Sequence, residues 1–261
     1  SSGKTMVSIG LCAARRARGH AVQPFKKGPD YIDPMWLSQA AGRTCRNLDL
    51  YLMTDDDVVA TFARHASDVN LVEGNKGLYD GLSLDGSNSN AAVAKLLDLP
   101  VFLVIDARGM TRGIAPLILG YQAFDKDIQI AGVILNKLGG SRHEAKLREV
   151  IEHYTDVPVV GAIQYDERLG IIERHLGLMP SNESLAATAT VRQIGEAVAA
   201  LREHRQPGPV DLHHVGLGAA GDLGREPLQV AGEAHVLALD AHAGVLPLEL
   251  GDGLERGLVA G

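Results

Sequence analysis

Aromatic residues, cysteines and long apolar runs are all scarce in this sequence. Phe, Trp and Tyr make up only 4% of the chain, so its core must consist of Val, Ile, Leu and Ala, as in a helix-covered parallel sheet. Its two cysteines, Cys12 and Cys45, have neither a paired spacing nor His neighbours, which excludes a disulfide framework or a zinc site and fits a reducing cytoplasm. No apolar run approaches the length of a membrane span, and the first residues do not resemble a signal peptide.

Positive charge is also in short supply. The chain has 25 Lys and Arg against 32 Asp and Glu, which gives a formal net charge of -7. No stripe of Lys and Arg alternates with aromatic residues, so we expect no nucleic-acid partner. These absences together predict a soluble, cytoplasmic protein without a membrane partner.

Short apolar runs rich in β-branched residues alternate with longer helical patterns along most of the chain. The short runs are apolar nearly throughout, which is typical of strands buried on both faces. This β-α-β succession predicts an α/β fold with a doubly wound, mostly parallel sheet. Gly19 follows the first helix, where a left-handed cap residue is expected. The predicted strands cover residues 21–25, 70–73, 101–106, 130–136 and 157–163, and the predicted helices cover residues 4–18, 55–65, 89–97, 111–124, 142–154 and 184–204.

The last part of the chain has a different composition. Residues 213–261 contain no Lys, Ile, Phe, Tyr, Trp, Ser, Thr, Asn, Cys or Met. Every residue type that remains has codons beginning with G or C, as a shifted reading frame in a GC-rich gene would produce. We therefore separate a folded domain, residues 1–205, from a tail, residues 206–261, that we expect to be frame-shifted or otherwise non-native. The alternative is a native, low-complexity Ala/Gly/Leu extension, and we assign the tail no function.

The chain opens with S-S-G-K-T directly before a helical pattern, which matches the end of the phosphate-loop motif G-x-x-x-x-G-K-[ST]. In this motif the glycine lets backbone N–H groups close around phosphate, the lysine reaches the β- and γ-phosphates, and the hydroxyl binds Mg²⁺. We therefore predict that Ser2, Gly3, Lys4 and Thr5 bind ATP and that Thr5 binds Mg²⁺. The first glycine of the motif and the strand before it are absent from the sequence, so we expect the fold to lack its first strand.

Two acidic, glycine-containing loops follow predicted strands. The run F-K-K-G-P-D-Y-I-D-P places Asp30 and Asp33 after one strand, at the edge where open α/β sheets bind their ligands. The run V-E-G-N-K-G-L-Y-D-G places Glu73 at the end of another strand, in the position of an acid that faces Mg²⁺. These acids can hold Mg²⁺ or face a reacting group, and the lysine pair can meet phosphate or a substrate carboxylate; the alternative is a polar turn. The run S-N-S-N at 87–90 predicts a loop and a helix cap.

Four runs, 27–34, 73–81, 106–109 (D-A-R-G) and 174–178 (R-H-L-G-L), resemble the cobyrinic acid a,c-diamide synthase family, and the resemblance covers roughly residues 1–185. It implies a phosphate-loop ATP domain of the dethiobiotin-synthetase-like type, followed in family members by a glutaminase domain that supplies ammonia. It also implies an amidoligase in which ATP phosphorylates a substrate carboxylate and ammonia displaces the phosphate. The implied cofactors are ATP and Mg²⁺, the implied partners are a tetrapyrrole and ammonia, and a homodimer is expected only through the family.

Site residues carry over by matching position. Lys4 and Thr5 become the phosphate and Mg²⁺ residues, and Glu73 becomes a Mg²⁺ ligand or an organiser of the γ-phosphate. Asn136, which closes a predicted strand, resembles the residue that reads adenine in related folds. The implied substrate-binding residues are Lys27, Tyr31 and Asp80, and the implied catalytic residues are Lys4, Asp30, Asp33, Glu73 and Asp80.

Two features depart from the family pattern. Asn75 and Lys76 stand where the corrin enzymes have apolar residues. Together with residues 87–90 and 113–116, this pair resembles a branch of the family that is linked to dissimilatory sulfite reductase and is proposed to amidate sirohaem. The substrate therefore stays open between cobyrinic acid and sirohaem. A glutaminase needs a Cys nucleophile on a tight Gly-rich turn, and neither cysteine of this chain has that context. We expect the chain to lack its own glutaminase domain and to be unable to hydrolyse glutamine.

Two other classes of function stay open. ATP-dependent dimerisation switches of the partitioning and cell-division (ParA/MinD) type share the phosphate-loop architecture. They need a second lysine near the start of the loop, in a segment that this sequence lacks, and they have no use for paired acids that face a substrate. A non-functional gene remnant is the third hypothesis, which the truncated start and the unusual tail favour.

Overall fold

The structure, a computed structural model, describes residues 2–169, 173–174, 177–178, 181, 186–200 and 233–238 of the chain. Its helices are α1 (Lys4–Ala17), α2 (Ile32–Ala41), α3 (Asp55–His65), α4 (Asn90–Leu96), α5 (Ile114–Phe124), α6 (Ser141–Tyr154) and α7 (Ala187–Ala200). Its strands are β1 (Val22–Lys27), β2 (Arg46–Leu48), β3 (Val69–Glu73), β4 (Val101–Asp106), β5 (Ile130–Leu138), β6 (Val159–Gln164), β7 (Glu173–Arg174), β8 (Gly177–Leu178) and β9 (Glu233–Ala238). Among the described helices, none is long and apolar enough to cross a membrane.

Seven strands form one parallel sheet in the order β2-β1-β3-β9-β4-β5-β6, and β7 pairs antiparallel with β8. The chain moves from β1 outward to β2, returns to β3 and then continues to β4, β5 and β6 on the other side. Because parallel crossovers are right-handed, this reversal puts α2 and α5 on opposite faces of the sheet. The contacts agree, since α1 packs against α2 and α7, whereas α5 packs against α6. The predicted doubly wound parallel sheet is confirmed.

The helix α1 is held closely against the rest of the molecule. It ends before Gly19, whose φ of 88° is the left-handed conformation expected of a helix cap. A Cβ atom on Gly10 would lie 2.3 Å from Val198 of α7, and one on Gly195 would lie 2.8 Å from Ala13 of α1. The two glycines therefore allow α7 to approach α1 closely, and this packing fixes the helix that follows the phosphate loop.

Several predicted elements match the observed ones and others do not. The predicted helix over residues 55–65 and the predicted strand over 101–106 coincide with α3 and β4. The predicted helix over 184–204 is observed as Ala187–Ala200, and residues 201–204 lie outside the described residues. The sequence analysis did not predict β2, because three residues are too short for a periodic pattern. His175, in the run 174–178, also lies outside the described residues.

A segment of the tail takes part in the sheet. The strand β9 lies between β3 and β4 and pairs in parallel with both, with Glu233 opposite Val69 and Val236 opposite Val101. Without a strand in this position, the facing backbone groups of β3 and β4 would lack hydrogen-bond partners. A strand from the tail thus takes a central position in the sheet. The non-native origin of the tail stays a prediction.

Candidate active site

The phosphate loop lies at the start of α1, and its geometry requires glycine. Gly3 has φ 86° and ψ 24°, a left-handed conformation that costs L-residues energy. A Cβ atom at this position would also lie 2.4 Å from Asn136 Nδ2. Lys4 is buried in the first turn of the helix, next to the N–H groups of the helix N-terminus. A helix N-terminus, with its N–H groups and positive dipole end, suits a phosphate group.

A lysine ion-pair cluster joins the two acidic loops at the carboxyl ends of β1 and β3. Lys26 and Glu73 are register partners, and Lys26 Nζ lies 2.8 Å from Glu73 Oε1. The same nitrogen lies 2.6 Å from Asp33 Oδ2 and 3.7 Å from Asp30 Oδ2. Thr5 Oγ1 donates a hydrogen bond of 2.7 Å to Glu73 Oε1, which connects this cluster to the phosphate loop. We call Thr5, Lys26, Asp30, Asp33 and Glu73 the acidic cluster.

Burial makes the charges of the acidic cluster interdependent. The side chain of Lys26 is 3% exposed and that of Glu73 is fully buried. Burial alone would lower the pKa of the Lys26 ammonium, but the charges of Glu73 and Asp33 and their hydrogen bonds outweigh it and raise this pKa. Removing one member of such a buried pair leaves a charge without compensation, which typically costs about 3–5 kcal/mol.

The acidic cluster has a donor set that fits Mg²⁺. Glu73 Oε2 is buried and has no hydrogen-bond partner, and Asp33 Oδ2 lies 3.3 Å from Thr5 Oγ1. Carboxylate and hydroxyl oxygens are ligands that Mg²⁺ accepts, and one ammonium facing three carboxylates leaves an excess of negative charge. In the described part of the chain, no group of three or more His, Cys, Asp or Glu side chains could hold a metal by itself. A metal here would therefore also need phosphate oxygens and water.

The loop after β3 is held in place by the S-N-S-N run. Asn90 Oδ1 accepts a hydrogen bond from the backbone N–H of Asn75, and Asn90 Nδ2 donates to the carbonyl of Gly77. Asn88 Oδ1 accepts from the N–H of Leu82, and Ser89 caps α4. The predicted loop and helix cap are confirmed. These asparagines also fix the path of the glycine-rich loop.

The other predicted site residues do not join the acidic cluster. Lys27 is buried, and burial lowers the pKa of its ammonium, with the charge of Asp49 opposing the shift and that of Lys76 adding to it. Tyr31 is largely exposed, and Asp80 is exposed and accepts a hydrogen bond from the N–H of Gly77. Their substrate-binding and catalytic roles therefore stay predictions.

Asn136 lies beside the phosphate loop. Its Nδ2 donates a hydrogen bond of 2.7 Å to the carbonyl of Ser2, and its Oδ1 accepts one from the N–H of Lys137. The predicted contact with adenine stays a prediction. The structure adds a contact that joins β5 to the phosphate loop.

Two buried charged residues at the candidate site, Lys26 and Asp49, were not predicted from the sequence. The sequence motif indicates Lys26 only as part of a lysine pair, although a lysine inside a run of buried strand residues implies a partner of opposite charge. Asp49 follows β2, and its Oδ2 is buried without a hydrogen-bond partner. Because β2 is not predicted from the sequence, the position of Asp49 at the carboxyl edge of the sheet is not predicted either.

A second ion-pair group closes the ends of β4 and β5. Burial opposes ionisation of Asp106, but hydrogen bonds from Arg108 and Lys137 outweigh it and lower the pKa of Asp106 to about 2. Arg108 Nη2 lies 2.7 Å from Asp106 Oδ2, and Lys137 Nζ lies 3.2 Å from the same oxygen. Arg108 and Lys137 thus both form ion pairs with the carboxylate that ends β4.

The fold and the site define a phosphate-loop, nucleotide-binding α/β domain. Residues 1–178 match the model of the CobQ/CobB/MinD/ParA nucleotide binding domain. The chain belongs to this family, as the resemblance found in its sequence indicated.

Three relatives illustrate the similarity. A cobyrinate a,c-diamide synthase of Magnetococcus marinus is 51% identical over 197 residues, which cover 75% of this chain and 42% of the relative. The corresponding synthase of Methanosarcina acetivorans is 50% identical over 190 residues, covering 70% of this chain and 38% of the relative. A hydrogenobyrinate a,c-diamide synthase of Thermobifida fusca is 44% identical over 205 residues, covering 76% and 43%. The chain thus spans about two fifths of the length of these relatives.

Proposed function

We propose that this chain is the ATP-using part of an amidoligase that converts carboxylates of a tetrapyrrole into amides. The observation that carries the proposal is the hydrogen bond between Thr5 of the phosphate loop and Glu73 of the acidic cluster. It supports a site in which acids and a lysine would lie beside the terminal phosphate of a nucleotide bound to the phosphate loop. The names of the relatives support the same chemistry.

The nucleotide end of the site follows from the phosphate loop. Lys4 and the helix N-terminus would bind the phosphates of ATP, and Thr5, Asp33 and Glu73 would hold Mg²⁺. When bound, Mg²⁺ neutralises charge on the phosphates. The chain's own contribution is to keep these groups in a fixed arrangement, which lowers the cost of reorganisation during phosphoryl transfer.

The carboxylate end of the site would lie between the two acidic loops. A Cβ atom on Gly28 would lie 2.9 Å from Asn75 Nδ2, so these loops are neighbours. Lys27 and Lys76 interact electrostatically and would attract the carboxylates of a substrate. A substrate carboxylate oxygen would attack the γ-phosphorus and release ADP; ammonia would then attack the acyl carbon, with loss of phosphate and a proton. Asp30, which is partly exposed, is our candidate acceptor for that proton.

The substrate is either cobyrinic acid or sirohaem. The relatives' names favour cobyrinate or its metal-free counterpart, whereas the exposed Asn75 and Lys76 favour sirohaem. Ammonia would come from solution or from a glutaminase, and a homodimer remains part of the proposal through the family alone.

The test measures ADP release and product mass. The chain receives Mg-ATP and ammonium with cobyrinic acid, with sirohaem or with neither. We expect ADP release only with the true substrate, together with a mass loss of about one unit for each carboxylate converted. Asp33→Asn should abolish this activity, whereas Glu152→Gln, an isosteric change on the exposed side of α6, should preserve it.

An ATP-dependent dimerisation switch is the competing function. It predicts dimers with Mg-ATP and slow ATP hydrolysis that neither tetrapyrrole changes. That result from a folded, ATP-binding chain would contradict the amidoligase proposal.

A further inference from the structure

Lys26 and a metal ion would compete for the same two carboxylates. Asp33 Oδ2 and Glu73 Oε1 lie 2.6 and 2.8 Å from Lys26 Nζ. They are also the two carboxylate oxygens that lie within hydrogen-bonding distance of Thr5 Oγ1, at 3.3 and 2.7 Å. Lys26 and the hydroxyl of the phosphate loop thus contact the same two carboxylate oxygens.

An ammonium and a divalent cation cannot share these oxygens without cost. Mg²⁺ requires its ligands at about 2.0–2.1 Å in near-octahedral geometry. A metal bound to the oxygens that Lys26 now contacts would lie within a few ångströms of its nitrogen, where like charges repel strongly in a buried site. Conversely, without either cation the fully buried carboxylate of Glu73 would lose its ion-pair partner, which is strongly destabilising.

We propose that Lys26 is the internal counter-ion of the metal-free site. Its ammonium holds Asp33 and Glu73 beside Thr5 while no metal is bound, and Mg²⁺ competes with it for these carboxylates. Lys26 is therefore a positioning residue, and it makes the binding of Mg²⁺ without a nucleotide unfavourable. This inference rests on the proposed function, because it takes its metal site from there.

The test compares wild type, Lys26→Met and Lys95→Met. Lys95 forms a partly exposed ion pair with Asp125 at 2.8 Å, so it controls for the loss of a paired lysine outside the acidic cluster. The melting temperature is measured without metal, and the dissociation constant of Mg²⁺ is measured by titration calorimetry without nucleotide. We expect Lys26→Met to melt at a lower temperature and to bind Mg²⁺ about tenfold more tightly than wild type or more, since no ammonium competes for its ligands. Lys95→Met should resemble wild type in both measurements.

If Lys26→Met does not fold without metal, we measure instead whether millimolar Mg²⁺ restores its folding. Recovery supports the proposal, because the metal then replaces the missing ammonium. A variant that Mg²⁺ does not rescue, an unchanged or weaker affinity for Mg²⁺, or an unchanged melting temperature would overturn it.

The outcome also separates this inference from the proposed function. If Mg²⁺ promotes ATP binding to wild type but Lys26→Met binds free Mg²⁺ no better, only the counter-ion inference fails. If Mg²⁺ has no effect on ATP binding to wild type, the proposed metal site fails and the inference fails with it.

Discussion

Asn136 Nδ2 donates a hydrogen bond to the backbone carbonyl of Ser2, so the end of β5 is tied directly to the phosphate loop. Its Oδ1 accepts from the N–H of Lys137, which means that both ends of the buried amide have protein partners. This arrangement suggests that Asn136 holds the loop for any nucleotide, whereas the family resemblance implies that it reads adenine. The two roles predict different nucleotide preferences.

Asn136→Ala should weaken ATP and GTP binding to the same extent if its main role is to hold the loop. Loss of one buried hydrogen bond with unsatisfied partners typically costs about 1–3 kcal/mol, so we expect a loss of at least about fivefold in affinity. Titrations with both nucleotides measure this effect, with Asn75→Ala, on an exposed loop residue, as the control. A loss confined to ATP would instead support the adenine contact.

Thr5→Ala should remove most of the Mg²⁺ dependence of nucleotide binding, and Thr5→Ser should keep it. The hydroxyl of Thr5 contacts Glu73, and serine can supply the same oxygen while it lacks only a methyl group. Losing a ligand or its supporting contact typically weakens a metal site by about 10- to 100-fold. The ATP affinities of both variants and of wild type, measured with and without Mg²⁺, test this prediction. Equal Mg²⁺ dependence in Thr5→Ala and wild type would contradict a metal contact of Thr5.

The sequence predicts those parts of the fold and of the site that depend on residues close together in the chain. Thr54 and Asp57 form a capping box, so the start of α3 follows from neighbouring residues. The phosphate loop and the acids after two strands follow from motifs of the same kind. The pairing of Lys26 with Glu73 does not, because it depends on the register between β1 and β3, which are 47 positions apart at this pair. The position of β9 is not predictable from local patterns either, because it depends on pairing with β3 and β4, which are far away in the sequence.

Gly10→Ala should destabilise the protein, whereas Gly120→Ala should stabilise it slightly. Both glycines lie inside helices, but a Cβ atom on Gly10 would lie 2.3 Å from Val198, and one on Gly120 would have no atom within 4 Å. Forcing a methyl group into packed space typically costs about 1–3 kcal/mol, while Ala for Gly in an open helix position gains up to about 1 kcal/mol. Denaturant unfolding measures both changes. A Gly10→Ala variant as stable as wild type would contradict the close packing of α1 and α7.

Asp106→Asn should lower stability at neutral pH, and the difference from wild type should disappear in acid. Arg108 and Lys137 lower the pKa of Asp106 from 3.8 to about 2, so the folded state binds the proton of this carboxyl less readily than the unfolded chain. A depressed pKa of this kind stabilises the fold above about pH 4, and the contribution is lost as the pH falls toward 2. Because Arg108 is more than half exposed and solvent screens its pair, we expect a difference on the order of 1 kcal/mol at pH 7. Urea unfolding of wild type and Asp106→Asn between pH 2 and 7 measures it, with the exposed Asp127→Asn as control. A difference that persists unchanged at pH 2 would show that the substitution acts through packing rather than through the ion pair.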